Sequence, residues 1–413
     1  MPRWSILLSC LLLLSPTVQA GDPVAELVQR QRQVAELLLQ SYVFVGGGSG
    51  VVISPEGLVL TNHHVAGGQE EWRLRFADGS TYPARRIGTD PIGDICLLQI
   101  TAPATKTFTH VELGRAEDIR PGMALLAIGN PFSLGDADDT PTVSLGTLGS
   151  GRIVRGWYAD CVQLDAAVNP GNSGGPALDL AGALIGINGQ IRTRTGLRIN
   201  SGIGLAIACT QLRAFLPLLR DTPTGYVQHA GPPEGLELAQ TPAGVVVTGW
   251  AEPAPADPLL QPGDLLLRIA DRPVTSVPTA EGLFVAQPWT GPETTVAVDL
   301  RRGDVELRLA VRTGRTPIPG RPDPGFEVVR RQQEAADGST ERYLLIGRVG
   351  DDSAAAEAGL QVGWRILQAN GQPISRRLDY LKVTSRLHIG DQLRLQLRDE
   401  VGKEHHITVP MLP

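Results

Sequence analysis

Three short segments of this sequence carry side chains that together can cleave a carbonyl compound by acyl transfer. The segment "LTNHHVAGG" holds two adjacent histidines, "DPIGDICLLQI" places aspartate at the start of an apolar run, and "DAAVNPGNSGGPAL" sets a serine among glycines. A serine hydroxyl attacks a carbonyl once a base removes its proton, and that base needs a third group to orient it. The order His, Asp, Ser along the chain suits such a triad.

The glycines around Ser173 suit the same chemistry. The backbone N–H groups of Gly171 and Ser173 can turn toward one point and donate to an oxyanion, and a Cβ at Gly171 would obstruct that turn. Each such donor stabilises the transition state by roughly 3 kcal/mol. Neighbouring residues of an extended segment face opposite ways, so only one of His63 and His64 can face a cleft. The pattern predicts a hydrolase and leaves the choice of histidine open.

The elements that must position these residues are predicted to be mostly short strands. Short apolar or alternating runs, such as "WRLRF", "ALLAIG" and "GIGLAIA", are separated by turn residues, in a chain with 48 Gly and 32 Pro. This spacing predicts an all-β barrel or sandwich. An amphipathic helix is expected over residues 23–40, and "TQLRAFLPLLRD" is expected to close the domain as a helix near residue 220.

Charge and composition exclude several classes of partner and cofactor. The net charge is −6 and no basic run stands out, so nucleic acid is not an expected partner. No metal-ligand spacing or phosphate-binding loop is present, so the sequence predicts neither a metal nor another cofactor. Cys96, Cys161 and Cys209 stand in apolar contexts that are typical of buried structural cysteines.

The first twenty residues are typical of an export signal. Arg3 precedes the apolar run "WSILLSCLLLLSP", and "VQA" ends at Ala20 with the small residue of a cleavage site. The alternative is an uncleaved anchor, although the run is short for a bilayer span. The mature protein is therefore expected to be periplasmic or secreted.

Two similar blocks follow the β-rich region. "GVVVTGWAEPAPADPLLQPGDLLLRIADRPVTS" and "YLLIGRVGDDSAAAEAGLQVGWRILQANGQPIS" each run strand, small-residue helix, turn, strand and tight turn. Their separation is too long for a solenoid, so they predict a repeated small domain. The Pro-rich stretch "RTGRTPIPGRPDPG" between them is a semi-rigid linker.

The sequence resembles the HtrA family of serine proteases, which join a trypsin-like domain to C-terminal PDZ domains. The matching motifs are "GSGVVISPEGLVLTNHHV", "DPIGDICLL", "LLAIGNPF", "DAAVNPGNSGGPAL" and "SGIGLAIA", within residues 48 to 207. The resemblance implies a mostly β architecture, a chymotrypsin-like double β-barrel followed by two PDZ-like domains. The implied organisation is a signal peptide (1–20), a helical segment (21–45), a protease domain (46–220) and PDZ-like domains (228–314 and 322–413).

The family pattern also assigns roles to individual residues. It implies His64 as the base, Asp94 as its orienting group and Ser173 as the nucleophile. The implied oxyanion hole is lined by Gly171, Asn172 and Ser173. The implied substrate pocket, apolar and suited to Val, Ile, Leu or Ala, consists of Ala167, Ile187, Gly189, Ile203 and Leu205. For Ile187 the alternative is a place in the barrel core.

The PDZ resemblance implies that a C-terminal peptide adds as a strand beside a carboxylate-binding loop. The two implied loops are Gly235, Leu236, Glu237 and Leu238 in the first domain, and Gly325, Phe326, Glu327 and Val328 in the second. Both loops carry Glu where the family usually has Gly, and an acidic side chain beside a carboxylate weakens binding unless it points away. The family also implies a homotrimer, with Tyr42 and Phe44 as contact residues and the helix 23–40 as a further contact; the alternative for the helix is packing against its own domain.

These inferences predict an ATP-independent serine endopeptidase of the cell envelope that cleaves unfolded, damaged or regulatory exported proteins. Its expected partners are unfolded or misfolded polypeptides and C-terminal peptides. The alternative is a non-catalytic, chaperone-like scaffold on an inactive protease fold, and an esterase is a third reading. Cleavage by the wild type and not by Ser173→Ala separates the protease from the scaffold.

Overall fold

The computed structural model describes residues 23–155, 158–191, 200–222, 225–251, 258–319, 323–334, 340–351 and 353–412. The predicted signal peptide lies outside these ranges. Within them, no helix has both the length and the apolar character needed to cross a membrane. The described chain is mostly β, in two closed barrels and three further sheets.

The N-terminal helix packs one side against the barrels. Helix α1 spans Pro23–Ser41 and buries Val34 and Leu38, whereas Val24 and Leu27, nearer the N-terminus on the same face, are 67% and 40% exposed. It leads directly into the first strand, where Tyr42 and Phe44 are buried.

The first barrel closes in the order β1-β2-β3-β6-β5-β4. Its elements are β1 (Tyr42–Val45), β2 (Gly48–Val52), β3 (Leu58–Thr61), α2 (His63–Ala66), β4 (Glu71–Phe76), β5 (Thr81–Asp90) and β6 (Ile95–Ile100). Alternate residues of its strands enter two different cores, as the two-residue period of a strand requires. Val59 and Leu98 belong to the barrel interior, while Leu60 and Leu97 belong to a core shared with the second barrel.

The second barrel closes in the order β10-β11-β12-β9-β8-β7. Its elements are β7 (Ala124–Gly129), β8 (Thr142–Arg155), β9 (Tyr158–Leu164), β10 (Pro176–Asp179), β11 (Leu184–Ile191), β12 (Gly204–Ala208) and the closing helix α3 (Cys209–Asp221). Between the barrels lies a core formed from strands of both, with Leu38 of α1 and Phe215 of α3. This core fixes the two barrels against each other, so loops from both meet at one cleft.

The three cysteines in the described part of the chain are buried in the two-barrel region. Cys96 lies inside the first barrel, Cys161 in the core between the barrels and Cys209 at the start of α3. Burial raises the pKa of the Cys96 thiol to about 12 and that of Cys209 to about 11. Both thiols are therefore protonated at neutral pH.

Two C-terminal sheets share one strand order. The first sheet domain contains β14 (Leu236–Thr241), β15 (Gly244–Trp250), β16 (Leu265–Ile269), β17 (Arg272–Pro273), α4 (Val277–Val285), β18 (Thr295–Arg302) and β19 (Val305–Arg312), and a short pair, β13 (His229–Gly231) with β20 (Gly314–Thr316), joins its two ends. The second sheet domain contains β21 (Phe326–Glu334), β22 (Thr340–Val349), α5 (Ala354–Glu357), β23 (Arg365–Ala369), β24 (Gln372–Pro373), α6 (Arg377–Thr384), β25 (Gln392–Arg398) and β26 (Glu404–Pro410). The orders β14-β15-β16-β18-β19 and β21-β22-β23-β25-β26 leave β14 and β21 at sheet edges.

Candidate active site

The two histidines lie on a short helix and not on an extended segment. Helix α2 begins at His63, so neighbouring side chains project about 100° apart and not in opposite directions as expected from the sequence. The His64 ring faces Asp94, with Nδ1 at 2.8 Å from Oδ2 and 3.0 Å from Oδ1. The His63 ring lies against Thr89, with Nδ1 at 2.8 Å from Oγ1, and burial lowers its pKa. Only His64 is paired with the carboxylate.

Asp94 is held by its backbone as well as by its side chain. Its φ of +58° is in the left-handed region, which aspartate tolerates better than most residues. The Asn62 side-chain amide donates to the Asp94 carbonyl at 2.9 Å, and the His64 backbone N–H donates to Asp94 Oδ1 at 3.0 Å. The carboxylate side chain is 13% exposed and the His64 side chain is 48% exposed. The pair therefore opens toward solvent through the imidazole.

Ser173 sits in a loop that both barrels hold. Its carbonyl accepts the Ser49 N–H from the first barrel at 2.9 Å, and the Gly174 N–H donates to Asn188 of the second at 2.8 Å. Its hydroxyl donates to the Gly189 carbonyl at 3.2 Å, in place of the expected hydrogen bond to His64. Catalytic hydrogen bonds commonly tighten only when substrate binds.

Gly171 adopts a conformation that excludes any side chain. Its φ is +101°, and a Cβ there would lie 1.9 Å from the Asn130 carbonyl oxygen. The Phe132 N–H donates to the Pro170 carbonyl at 2.7 Å. Because C=O and N–H point in opposite directions across a trans peptide, this bond directs the Gly171 N–H away from Phe132. The Ser49 hydroxyl fixes the next peptide by donating to the Gly171 carbonyl at 2.8 Å.

The N–H groups of the serine loop fall into two sets. Among the described residues, neither Gly171 nor Ser173 donates its backbone N–H to another protein group. Asn172, also predicted to line the oxyanion hole, uses its N–H in a 3.0 Å bond to the Asn169 carbonyl, and its buried side chain donates to the Ala167 carbonyl at 3.3 Å. Asn172 thus holds the loop, while its two neighbours keep donors for a ligand.

The residues predicted for the substrate pocket occupy different environments. Ala167 and Ile203 are exposed, and Gly189 is buried. Ile187 and Leu205 are 0% and 3% exposed and pack in the core between the barrels. For Ile187 this is the alternative named from the sequence, a place in the core, and Leu205 shares it.

The loops predicted to bind carboxylates start the edge strands of the two sheet domains. Gly235 and Gly325 have φ of +79° and +71°, a backbone conformation that glycine adopts without strain. The residues that follow are half-buried Leu236, exposed Glu237 and half-buried Leu238 in the first loop, and buried Phe326, exposed Glu327 and half-buried Val328 in the second. Glu327 lies 3.7 Å from Arg348 on the neighbouring strand. The exposed glutamates therefore project away from the apolar side chains of their loops.

Sequence reasoning missed two residues that hold the serine loop. Ser49 and Phe132 stand in the motifs "GSGVV" and "GNPF", which match the family but carry no side chain of obvious chemistry. Ser49 acts through its hydroxyl, and Phe132 acts through its backbone N–H from a left-handed turn (φ +54°). Only the match of these motifs to the family could have pointed to the two residues, because their types alone predict no role.

Two closed barrels, with a histidine–aspartate pair on the first and a serine loop held by both, are the architecture of a trypsin-like serine endopeptidase. A family model described as a trypsin-like peptidase domain matches residues 48–187, and a model for peptidase S46 matches residues 25–70. A probable periplasmic serine endoprotease, DegP-like, of Pseudomonas fulva is 30% identical over 370 residues, covering 82% of this chain and 74% of that protein. Serine protease HTRA1 of Xenopus tropicalis is 41% identical over 170 residues, covering 41% of this chain and 35% of that protein.

Solved structures agree with the relatives. The HtrA-type protease AlgW with tripeptide has a TM-score of 0.55 at 30% identity, covering 70% of this chain and 98% of that chain. The chain belongs to the HtrA family of serine endoproteases. The predicted mostly β, double-barrel fold and the predicted serine endopeptidase are confirmed, and the relatives' names support a periplasmic location.

Proposed function

We propose that this endopeptidase cleaves unfolded or damaged exported proteins without ATP, using Ser173 as nucleophile, His64 as base and Asp94 as the group that orients His64. The observation that carries the proposal is the pairing of His64 with Asp94 at 2.8 Å beside a serine loop that keeps two backbone donors unused. Each part contributes a different element of acyl transfer: proton removal, orientation and oxyanion stabilisation.

The reaction follows from these positions. Ser173 Oγ forms a bond to the scissile carbonyl carbon as its proton passes to His64 Nε2, and the N–H groups of Gly171 and Ser173 donate to the oxyanion. Collapse breaks the C–N bond as His64 returns the proton to the leaving amine. Water then attacks the acyl-enzyme, His64 takes its proton, and Ser173 departs as the hydroxyl. Asp94 remains ionised and stabilises the imidazolium in both half-reactions.

Four variants test the roles of these residues on casein and on a fluorophosphonate probe that labels reactive serines. We expect Ser173→Ala and His64→Ala to lose roughly 10⁶-fold in kcat, and Asp94→Asn roughly 10⁴-fold. His63→Ala is the matched control, because its ring faces Thr89 and not the carboxylate, and it should retain most activity. Equal cleavage by wild type and Ser173→Ala, or a larger loss at His63 than at His64, would contradict the assignment.

We also propose that the pocket accepts Val, Ile, Leu or Ala at the cleaved position. The exposed Ala167 offers no acidic group for Lys or Arg, and Gly189 leaves room beside Ser173, whose hydroxyl contacts its carbonyl. The exposed Ile203 adds apolar surface to this proposal, whereas Ile187 and Leu205 belong to the core between the barrels. A peptide series varied at that one position tests it, and faster cleavage after Lys or Arg would refute it.

The two sheet domains are proposed to be PDZ domains that bind C-terminal peptides. Support comes from their shared strand order, from edge strands that follow a glycine with positive φ, and from the outward direction of Glu237 and Glu327. Misfolded polypeptides expose apolar C-terminal segments, which such a groove binds as an added strand. The affinity of the full chain for a fluorescent peptide with an apolar C-terminus tests this proposal, and absence of binding would refute it.

A homotrimer is proposed with contacts through the helix and not through the two aromatic residues. Tyr42 and Phe44 are 0% and 3% exposed, since both rings are packed inside the molecule. The apolar residues that α1 leaves exposed, among them Val24 and Leu27, are the better contact surface. Size-exclusion chromatography with light scattering decides the matter, because a monomer at working concentration would exclude the trimer.

Cleavage of the signal near Ala20 in the periplasm is also proposed. It is checked by N-terminal sequencing of the exported protein.

A further inference from the structure

A buried histidine–aspartate pair lies behind the proposed triad. His229 Nε2 is 2.8 Å from both carboxylate oxygens of Asp90, and neither side chain is exposed. The imidazole also stacks on Phe215 at 4.2 Å between ring centroids. Removing such a pair from water costs free energy, and apolar residues of similar volume would often serve stability as well. The pair therefore calls for a reason beyond packing.

Asp90 holds the turn that presents Asp94. Its Oδ1 accepts the backbone N–H groups of Ile92 at 3.0 Å and Gly93 at 2.7 Å. A Cβ at Gly93 would lie 2.2 Å from Asp90 Oδ2, so the turn closes tightly on the carboxylate. Asp94 is the next residue, and its side chain contacts His64. The position of the Asp90 carboxylate thus fixes where the chain delivers Asp94.

The other ring nitrogen of His229 reaches the first sheet domain. Nδ1 lies 2.6 Å from the carbonyl oxygen of Val285, the last residue of α4. His229 therefore joins the end of this helix to Asp90 through one imidazole. A chain of hydrogen bonds runs from α4 through His229 and Asp90 to the turn before Asp94.

The same turn is packed by the linker and by the second sheet domain. Backbone bonds join Thr89 to Gly225 at 2.8 Å and to Val227 at 2.9 Å. Ile92 is 1% exposed, in a small apolar cluster with Tyr226, Ile318 and Ile389. The cluster combines the proposed catalytic turn, the two linkers and the second sheet domain. A displacement of either sheet domain would therefore change the contacts that hold this turn in place.

We propose that His229 is a positioning residue for Asp94, and that through it the placement of α4 sets the geometry of the proposed triad. The inference rests on the roles proposed above for His64, Asp94 and Ser173. His229 touches no substrate, and it acts by fixing Asp90, which fixes the turn.

Two isosteric substitutions separate the two hydrogen bonds. The amide nitrogen of glutamine stands three bonds from Cβ, as Nε2 does, and that of asparagine stands two bonds away, as Nδ1 does. His229→Gln keeps a donor for Asp90, whereas His229→Asn keeps one only for Val285. We expect kcat of the Asn variant to fall roughly 100-fold at unchanged KM, because small misplacements of catalytic groups have effects of this size, and we expect the Gln variant to stay near wild type.

Three controls make the result decisive. Asp94→Asn shows whether the triad itself operates, so failure there is a failure of the proposed function and not of this inference. Phe215→Leu removes the stacking ring but leaves both hydrogen bonds, and should lower stability more than kcat. His405 forms a similar pair in the second sheet domain, with Nε2 at 3.0 Å from Asp399 and its ring stacked on Trp364, so His405→Asn should leave kcat unchanged.

The outcomes are read on folded, soluble protein of the full chain, with fluorophosphonate labelling as a second readout. A low kcat in the Asn variant with rescue in the Gln variant supports the proposal. Equal kcat in the two variants overturns it, as does a Phe215→Leu loss as large as that of the Asn variant. A chain that folds with Gln but not with Asn also overturns it, because the bond to Asp90 would then be structural.

Discussion

The two sheet domains have the same strand order and differ in how their helices are used. In the first, Ala280, Leu283 and Phe284 of α4 are fully buried, and Val154 of the second barrel packs against that domain's core. In the second, Tyr380 is the buried residue of α6. Leu378 and Leu381 of α6 are 55% and 46% exposed. One helix is therefore built into the protease, and the other faces solvent.

The sixth residue of each helix shows what causes this difference. Gly282 is the sixth residue of α4, and a Cβ there would lie 2.1 Å from Val154 Cγ1. The sixth residue of α6 is the exposed Lys382. A glycine in mid-helix costs about 1 kcal/mol relative to alanine, so close approach to the barrel is the feature that justifies it. The first sheet domain is thus fixed to the second barrel through α4, whereas α6 of the second sheet domain keeps apolar residues exposed, where the proposed peptide binding can take place.

The largest effect is expected from breaking the close approach itself. Gly282→Val should destabilise the contact between α4 and the second barrel by roughly 3 kcal/mol, because the added methyl groups meet Val154. The measurement is the shift of the lowest urea transition of the full chain. Lys382→Val is the matched control in α6 and should stay within about 0.5 kcal/mol of wild type. Equal shifts in the two variants would remove the distinction between the helices.

A smaller effect is expected at the polar contact between the same two bodies. Arg272 on β17 donates to the carbonyl oxygens of Arg152 and Ala159 and lies 3.4 Å from the buried Asp160. Asp160 keeps Arg152 at 2.8 Å when Arg272 is removed. Arg272→Ala should therefore cost about 2 kcal/mol, below the loss for an ion pair left wholly unpaired.

The matched control for that substitution is Gln372→Ala, since Gln372 is the equivalent, exposed residue of β24. It should be nearly neutral in the same urea experiment. A neutral Arg272→Ala would show that packing at Gly282 alone joins the first sheet domain to the barrel.

The smallest effect concerns peptide binding. Leu381→Glu in the exposed face of α6 should weaken binding of a fluorescent peptide with an apolar C-terminus about tenfold, or about 1.4 kcal/mol. The reason is that a carboxylate beside the proposed groove repels the peptide's own carboxylate and removes apolar surface. Fluorescence anisotropy measures the affinity. Glu281→Leu changes the equivalent residue of α4 and should leave the peptide affinity unchanged. A larger change in affinity for Glu281→Leu than for Leu381→Glu would assign binding to the first sheet domain.

Much of the fold was predictable because it depends on local patterns. Alternating runs such as "WRLRF" and the strand-turn-strand blocks follow directly from the two-residue period of strands. The docking of α4 was not predictable, because the contact of Gly282 with Val154 joins residues 128 positions apart in the numbering. A lone glycine in a helical pattern gives no sign of the surface that approaches it.

The site shows the same division. The residue types at His64, Asp94 and Ser173 indicate the proposed chemistry, and the family pattern predicts His64 and not its neighbour as the base. The short helix α2 was missed because two histidines after a strand give no helical period. His229 was missed because a single histidine in "YVQHAG" carries no signal for Asp90, which lies 139 residues away. Long-range polar pairs are read from coordinates and not from spacing.

Burial of the thiols means that they are exposed to oxidation only before the protein has folded. A thiol reacts as its thiolate, so Cys96 and Cys209, protonated inside the barrels, are poor targets in the finished protein. The periplasm is kept oxidising, and a newly exported chain meets it with these sulfurs uncovered. For a chain in that compartment, the thiols are open to oxidation before the barrels close and covered afterwards.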